Sequence, residues 1–207
     1  MVMPLGPDFA AALGIPMSHL GIVGGSYTAA APVVGIAGSL MLDRWERRSV
    51  LTWSVLGLGL STMTGAMATG TWTLVAARMA AGSFGGIAAT LCFSMVADLA
   101  PESHRGRATA IVASGFSLAS ILGVPAGLEL ARRGGWRAPF LVVGAVALVL
   151  AAAARLLLPP MRGHLDTKEA SVPLAFDERM GMAFVAFGCG IFGNFLLVPN
   201  LSAYLQF

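Results

Sequence analysis

Apolar residues run through this chain in long blocks, broken by short clusters of charge and glycine. Five blocks are complete, at 18–42, 50–69, 72–97, 108–131 and 138–158, and a sixth, 180–207, runs to the last residue. Each is long enough to cross the roughly 30 Å hydrocarbon core of a bilayer, which takes about 20 helical residues. Backbone in hydrocarbon must satisfy its own hydrogen bonds, so each block predicts a membrane-spanning α-helix. Residues 1–13 read as the outer end of a further span whose start is absent. The predicted fold is therefore all-α, a polytopic membrane helix bundle. It divides into a transmembrane bundle at 1–158, a polar Pro-flanked linker at 159–179 and a further helix at 180–207. Gly70, Pro101 and the Gly134–Gly135 pair fall between blocks, where the chain must turn and meet water.

Composition strengthens this picture. Hydrophobic residues make up 57% of the 207 and charged residues 11%, about half the usual charged share, which excludes an ordinary soluble domain. The basic residues set the orientation. Arg44, Arg47, Arg48, Arg105, Arg107, Arg155, Arg162, Lys168 and Arg179 fall on one side of the predicted membrane, and Arg132, Arg133 and Arg137 on the other. The positive-inside rule then places loops 43–49, 101–107 and 159–179 in the cytoplasm and the chain in the cell (inner) membrane as a multi-pass protein. Charge spread over short loops in this way orients a membrane protein, so no nucleic-acid partner is expected. Cys92 and Cys189 lie inside apolar blocks without metal-ligand spacing and read as small packing residues; no metal or cofactor is expected. Residues 1–12 have no basic segment ahead of their apolar residues and are not read as a signal peptide.

Helices in lipid associate through close approach at small residues more than through the hydrophobic effect. Three stripes offer such faces: Gly21, Gly25 and Ala29; Gly57, Ser61, Gly65 and Thr69; and Gly115, Ala119, Gly123 and Gly127. Together they predict a compact bundle. Pro125 interrupts the hydrogen bonding of the third and predicts a kink or a loosened outer end. Arg78 is the one strongly charged residue placed well inside a block, at a cost on the order of 3 kcal/mol on insertion scales. Gly82, Gly86 and Ala89 follow it at helical spacing, which turns it toward the bundle. It either snorkels to the outer interface or lines a path for a solute or ion. Asp8, Glu129, Asp43 and Asp98 all lie near block ends, so no carboxylate stands out as a central proton carrier.

The segment Ser-Leu-Met-Leu-Asp-Arg-Trp-Glu-Arg-Arg at 39–48 resembles the Gly-x-Leu-x-Asp-Arg-x-Gly-Arg-Arg signature between helices two and three of the major facilitator superfamily. It matches at Asp43, Arg44, Arg47 and Arg48 and departs at Ser39, Met41 and Glu46. Further matches follow in the family's order. Pro4, Pro7, Phe9 and Ala10 resemble the end of helix one; Arg78 and Gly82 resemble the Arg-x-x-x-Gly of helix four; Asp98 with Arg105-Gly106-Arg107 resembles the loop after it. Gly115, Gly123, Pro125 and Gly127 resemble the helix-five antiporter motif, although its Gly-Pro pair is here Gly123-Val124-Pro125. Trp136-Arg137 and Phe140 resemble the start of helix six. The nearest resemblance is to the drug:proton antiporter and arabinose-efflux-permease branch.

That resemblance implies the N-terminal six-helix half of a major facilitator fold plus helix seven, with most of the second half absent. It implies a secondary active transporter, not an enzyme, that exports small drug- or sugar-like organic molecules by alternating access, with protons as the coupling ion. Its partners would be the small-molecule substrate, protons, the lipid bilayer, and a missing second half or a second copy. By the resemblance, Asp43, Arg44, Arg47, Arg48, Asp98 and Arg105 form a cytoplasmic gating network, with Asp43 facing a helix N-terminus in the other half. Arg78 lines the cavity or supports coupling, with Tyr27 and Asn194 as further polar groups inside spans. The face formed by Gly115, Ala119, Gly123, Pro125 and Gly127 packs across the interface of the two halves. Two other readings stay open. An intramembrane hydrolase needs a nucleophile and base at membrane depth, whereas His19, His104 and His164 fall at loops or span ends. A half-size six-helix protein would act as a homodimeric carrier or a non-transporting scaffold.

Overall fold

The computed structural model of the chain describes residues 6, 12–42, 45–161, 182 and 185. The chain forms two units, Met1–Asp166 and Thr167–Phe207, and the helices described below belong to the first. Among the described residues all regular structure is helical: α1 (Leu20–Leu42), α2 (Arg47–Ala66), α3 (Thr71–Leu99), α4 (Arg105–Gly134) and α5 (Ala138–Leu157), with short 3-10 turns at Met17–His19 and Glu102–His104. The predicted sixth block lies outside the described residues except for Met182 and Val185, which are helical.

Four of the five meet the length and hydropathy of a membrane span, over Leu20–Gly38, Thr71–Val96, Glu102–Gly134 and Ala138–Leu157. The exception is α2, whose 20 residues include Arg47, Arg48 and a series of serines and threonines. Its threonine hydroxyls bond back to the helix's own backbone. Thr52 Oγ1 donates to the Arg48 carbonyl at 2.9 Å and Thr62 Oγ1 to the Leu58 carbonyl at 2.7 Å. Such back-bonding lets polar side chains sit in a span without an orphaned donor.

Helix ends depart from the predicted blocks for local reasons. Thr69 lies in the turn ahead of α3 rather than at the end of α2, and the Thr69 and Gly70 backbone amides both donate to Thr73 Oγ1 at 3.1 Å. At its other end α2 begins three residues earlier than the block at 50–69, taking Arg47 and Arg48 into its first turn. The fourth block, at 108–131, grows at both ends to Arg105–Gly134. Glu129 supports the outer extension by pairing with Arg132 at 3.0 Å and with Arg133, one helical turn on. Gly135 then turns the chain with φ of 73°, the left-handed region that glycine enters at little cost.

The helices pack as a row, α1 against α3, α3 against α2 and α2 against α5, while α4 touches α3 and α5 lightly. Two apolar clusters hold the row. One gathers Ile15, Val23, Ala66, Ala68, Leu74, Val75 and Phe140; the other gathers Leu51, Ala88, Leu91 and Met95, with Cys92 packed against it. Cys92 is thus placed as a packing residue, while Cys189 lies outside the described residues. Along α3 the two clusters leave an interval from Arg78 to Gly86, and glycines fill it.

Candidate functional site

That interval is where α1 and α3 come closest. A Cβ built on Gly82 would meet the Tyr27 backbone, with Cα at 3.0 Å, and one on Gly86 would meet the Ala31 backbone, with its carbonyl carbon at 2.8 Å. On the α1 side, a Cβ on Gly35 would lie 3.4 Å from the Gly86 carbonyl oxygen. Backbones therefore touch, as they do where small residues line a membrane-helix interface. Tyr27 lies across this seam, half-buried, and Gly85 is the residue beneath its phenol ring.

Arg78 sits about two turns, or roughly 10 Å, from the Thr71 end of α3. Its guanidinium carbon lies 5.1 Å from the Tyr27 ring centroid, within cation–π range. A partly desolvated pair of this kind contributes on the order of 1–2 kcal/mol, less than the roughly 3 kcal/mol insertion cost of an arginine at depth. The ring offsets part of that cost. Arg78 Nε is buried and has no hydrogen-bond partner among the described residues, so donor capacity remains in the seam. The Tyr27 hydroxyl likewise makes no hydrogen bond to a described residue. This geometry places Arg78 against the α1–α3 seam.

At the inner end the two adjacent arginines of α2 diverge, since neighbours on a helix point about 100° apart. Arg47 reaches α3 and forms an ion pair with Asp98; its side chain is 12% exposed and that of Asp98 49%. Arg48 turns the other way, and its Nη1 donates to the Leu158 carbonyl at 3.0 Å, just past the end of α5. Lone carbonyls at a helix C-terminus favour such a cation. One arginine therefore ties α2 to α3 and the other ties α2 to α5. A cavity of about 380 Å³ lies beside Arg48, lined by Glu46, Arg48, Arg155 and Pro160. Arg105 Nε donates to the Ala100 carbonyl at 3.3 Å and its Nη1 lies 4.0 Å from Glu102, so its contacts stay within the α3–α4 turn. Asp43, Arg44 and Asn194 lie outside the described residues.

The glycine stripe of α4 is placed differently again. Helix α4 continues through Pro125, and Gly127 is its one buried residue. Gly115, Ala119 and Pro125 are exposed and Gly123 is half-buried; a Cβ on Gly115 or Gly123 would meet nothing within 4 Å. The Gly21–Gly25 stripe of α1 is equally open. Gly57 and Gly65 of α2, by contrast, face Phe84 and Phe140. Sequence reasoning passed over two features: Gly85, offset from the Gly82–Gly86–Ala89 stripe, and Pro32 inside α1. Proline at 32 was readable as a break in α1 hydrogen bonding; Gly85 had no signal until the register against Tyr27 was known.

Among the described residues, a row of long apolar helices with charge at the two ends and Arg78 inside defines a polytopic membrane protein. A sequence model described as Major Facilitator Superfamily matches residues 1–207, so the chain belongs to that family. Among its relatives are the uncharacterized MFS-type transporter YtbD of Bacillus subtilis (28% identical over 97% of this chain and 51% of that protein) and a probable sugar efflux transporter of Pasteurella multocida (30% over 86% and 44%). A chloramphenicol resistance protein of Streptomyces lividans is 33% identical over 72% of this chain and 38% of its own length. The chain spans about half the length of the curated relatives it matches. It is a multi-pass membrane protein of a transporter family.

Proposed function

We propose that this chain contributes the N-terminal six-helix half of a secondary active transporter that exports small organic molecules, drug- or sugar-like, in exchange for protons. The observation that carries the reading is the family match over the whole chain, joined by relatives named for sugar efflux and chloramphenicol resistance. Alternating access would rock this half against a second one around a midplane site. Arg78 and Tyr27 would face the solute path, with Asn194 as a further contributor. Asp43, Arg44, Arg47, Arg48, Asp98 and Arg105 would form the cytoplasmic gate, with Arg48 anchoring α2 to α5. The pairing of Arg47 with Asp98 supports that grouping. The open face at Gly115, Ala119, Gly123, Pro125 and Gly127 would meet the second half.

The test is solute uptake into everted membrane vesicles of the full-length protein under an imposed pH gradient. Transport is expected to fall when the gradient is collapsed, and to be lost in Arg78→Ala. A rate indifferent to the gradient would remove proton coupling, and unimpaired transport by the variant would remove the role of Arg78.

A further inference from the structure

Gly85 has no place in the family motifs quoted above, yet its position is the most constrained by a side chain anywhere in the α1–α3 seam. A Cβ added there would overlap the Tyr27 hydroxyl oxygen and come within 3.1 Å of the ring carbon that bears it. The same ring carries Arg78 over its face, 5.1 Å from the centroid. Its hydroxyl and Arg78 Nε both lack a partner among the described residues. Three residues on two helices thus fix one arrangement: a glycine floor, a phenol lying on it, and a guanidinium held against the phenol.

We infer that Gly85 is a positioning residue, which seats the Tyr27 phenol against Arg78 so that the two act as one donor pair for an oxygen-bearing solute. The inference rests on the transport reading and specifies the substrate chemistry of that site. A phenol and a guanidinium offer N–H and O–H donors together. The matching ligand presents acceptor oxygens, such as hydroxyl, nitro or carboxylate groups. Gly82 and Gly86 differ from Gly85 in kind, because they face the α1 backbone and govern how closely the helices approach. The atoms nearest a Cβ on Gly85 all belong to the Tyr27 phenol, so its replacement should act through that phenol.

The experiment is a double-mutant cycle on the full-length protein, with chloramphenicol, which carries nitro and hydroxyl oxygens, as the probe in everted vesicles. Tyr27→Phe removes one donor and is expected to raise the half-saturating concentration about three- to tenfold. Gly85→Ala should raise it at least as much, leaving the maximal rate within about twofold, and the double variant should lie nearer Tyr27→Phe than the product of the two single effects, because the hydroxyl is gone and only the ring carbon still meets the added methyl group. A Gly85→Ala protein with the wild-type value, or a double variant showing the product of the two single effects, overturns the inference while transport stands. Wild-type vesicles without saturable uptake overturn the substrate chemistry proposed here for the transport site. Thermal midpoints of the four purified proteins repeat the cycle without any solute: Gly85→Ala lowers the midpoint and adding Tyr27→Phe restores it. A double variant that melts no higher than Gly85→Ala overturns the contact whatever the vesicles show.

Discussion

Helices α3 and α4 are similar in length and both carry glycine at helical spacing, yet one stripe is closed and the other open. In α3, Gly82, Gly85 and Gly86 are buried, with the α1 backbone or the Tyr27 phenol where a Cβ would stand. In α4, Gly115 and Gly123 have nothing within 4 Å. The charges follow the same division. Asp98, near the end of α3, pairs with Arg47 on a different helix, whereas the described ion pairs of α4 join residues three or four apart. A glycine stripe read from sequence is therefore an offer of a close approach. Whether the offer is taken up depends on what lies opposite.

The contrast breaks most sharply at Gly86. Its Cβ would fall on the Ala31 carbonyl, with the carbonyl carbon at 2.8 Å and Cα at 2.9 Å, and backbone cannot swing aside as a side chain does. Gly86→Ala is expected to separate α1 from α3 and cost about 1–3 kcal/mol, as overpacking does in a tight core. Thermal unfolding of the purified protein in detergent measures it; an unchanged midpoint would mean that the seam is looser than its geometry. Gly57 gives the intermediate case. There the opposing group is the Phe84 ring, at 2.6 Å from the added Cβ and itself 38% exposed. Turning that ring costs about 0.5–1.5 kcal/mol, so Gly57→Ala should lower the midpoint by less than Gly86→Ala.

How much of this was legible in the sequence follows from the same physics. Spans were readable because lipid imposes length and hydropathy on any helix that crosses it, and five blocks appear as α1 to α5 with shifted ends. Those shifts came from side chains reaching back to backbone, as Thr73 does, which hydropathy does not encode. The face that a helix uses was less readable. Gly21, Gly25 and Ala29 have the spacing of an interface, but α1 buries Val23, Ser26 and Ala30 instead, at i, i+3 and i+7 on the opposite face, together with Gly35. Arg78 stood out through its cost in an apolar block. Its contact with Tyr27 depends on the register of α1 against α3, which no spacing within either helix fixes. Likewise the adjacent Arg47 and Arg48 formed one cluster in sequence and serve two different helices in space.

A smaller effect tests the charge side of the comparison. The Arg47–Asp98 pair has one partner half exposed, so water screens it and its coupling should be about 0.2–1 kcal/mol. A double-mutant cycle with Arg47→Ala and Asp98→Asn reads that coupling directly. It is expected to shrink as salt is raised, because only the Asp98 side is open to counterions. A coupling that does not respond to salt would place the pair deeper than its exposure indicates.

The smallest effect on stability is expected at Gly115, and it carries the most information about α4. With open space around it, Gly115→Ala meets no steric objection and removes backbone freedom from the unfolded helix. The melting temperature of the 207-residue chain should stay level or rise, within about 0.5 kcal/mol in either direction. Set beside Gly86→Ala, the same chemical change on two glycine stripes would then differ by the presence of a neighbour alone. Under the proposed transport reading the prediction changes in the full-length protein, since a second half packed on this face would supply the missing neighbour. There Gly115→Leu should slow transport while leaving the melting of the isolated chain near its starting value. If the substitution destabilises the isolated chain as much as Gly86→Ala does, α4 already has its partner within these residues. If it leaves full-length transport untouched, the open face belongs to lipid.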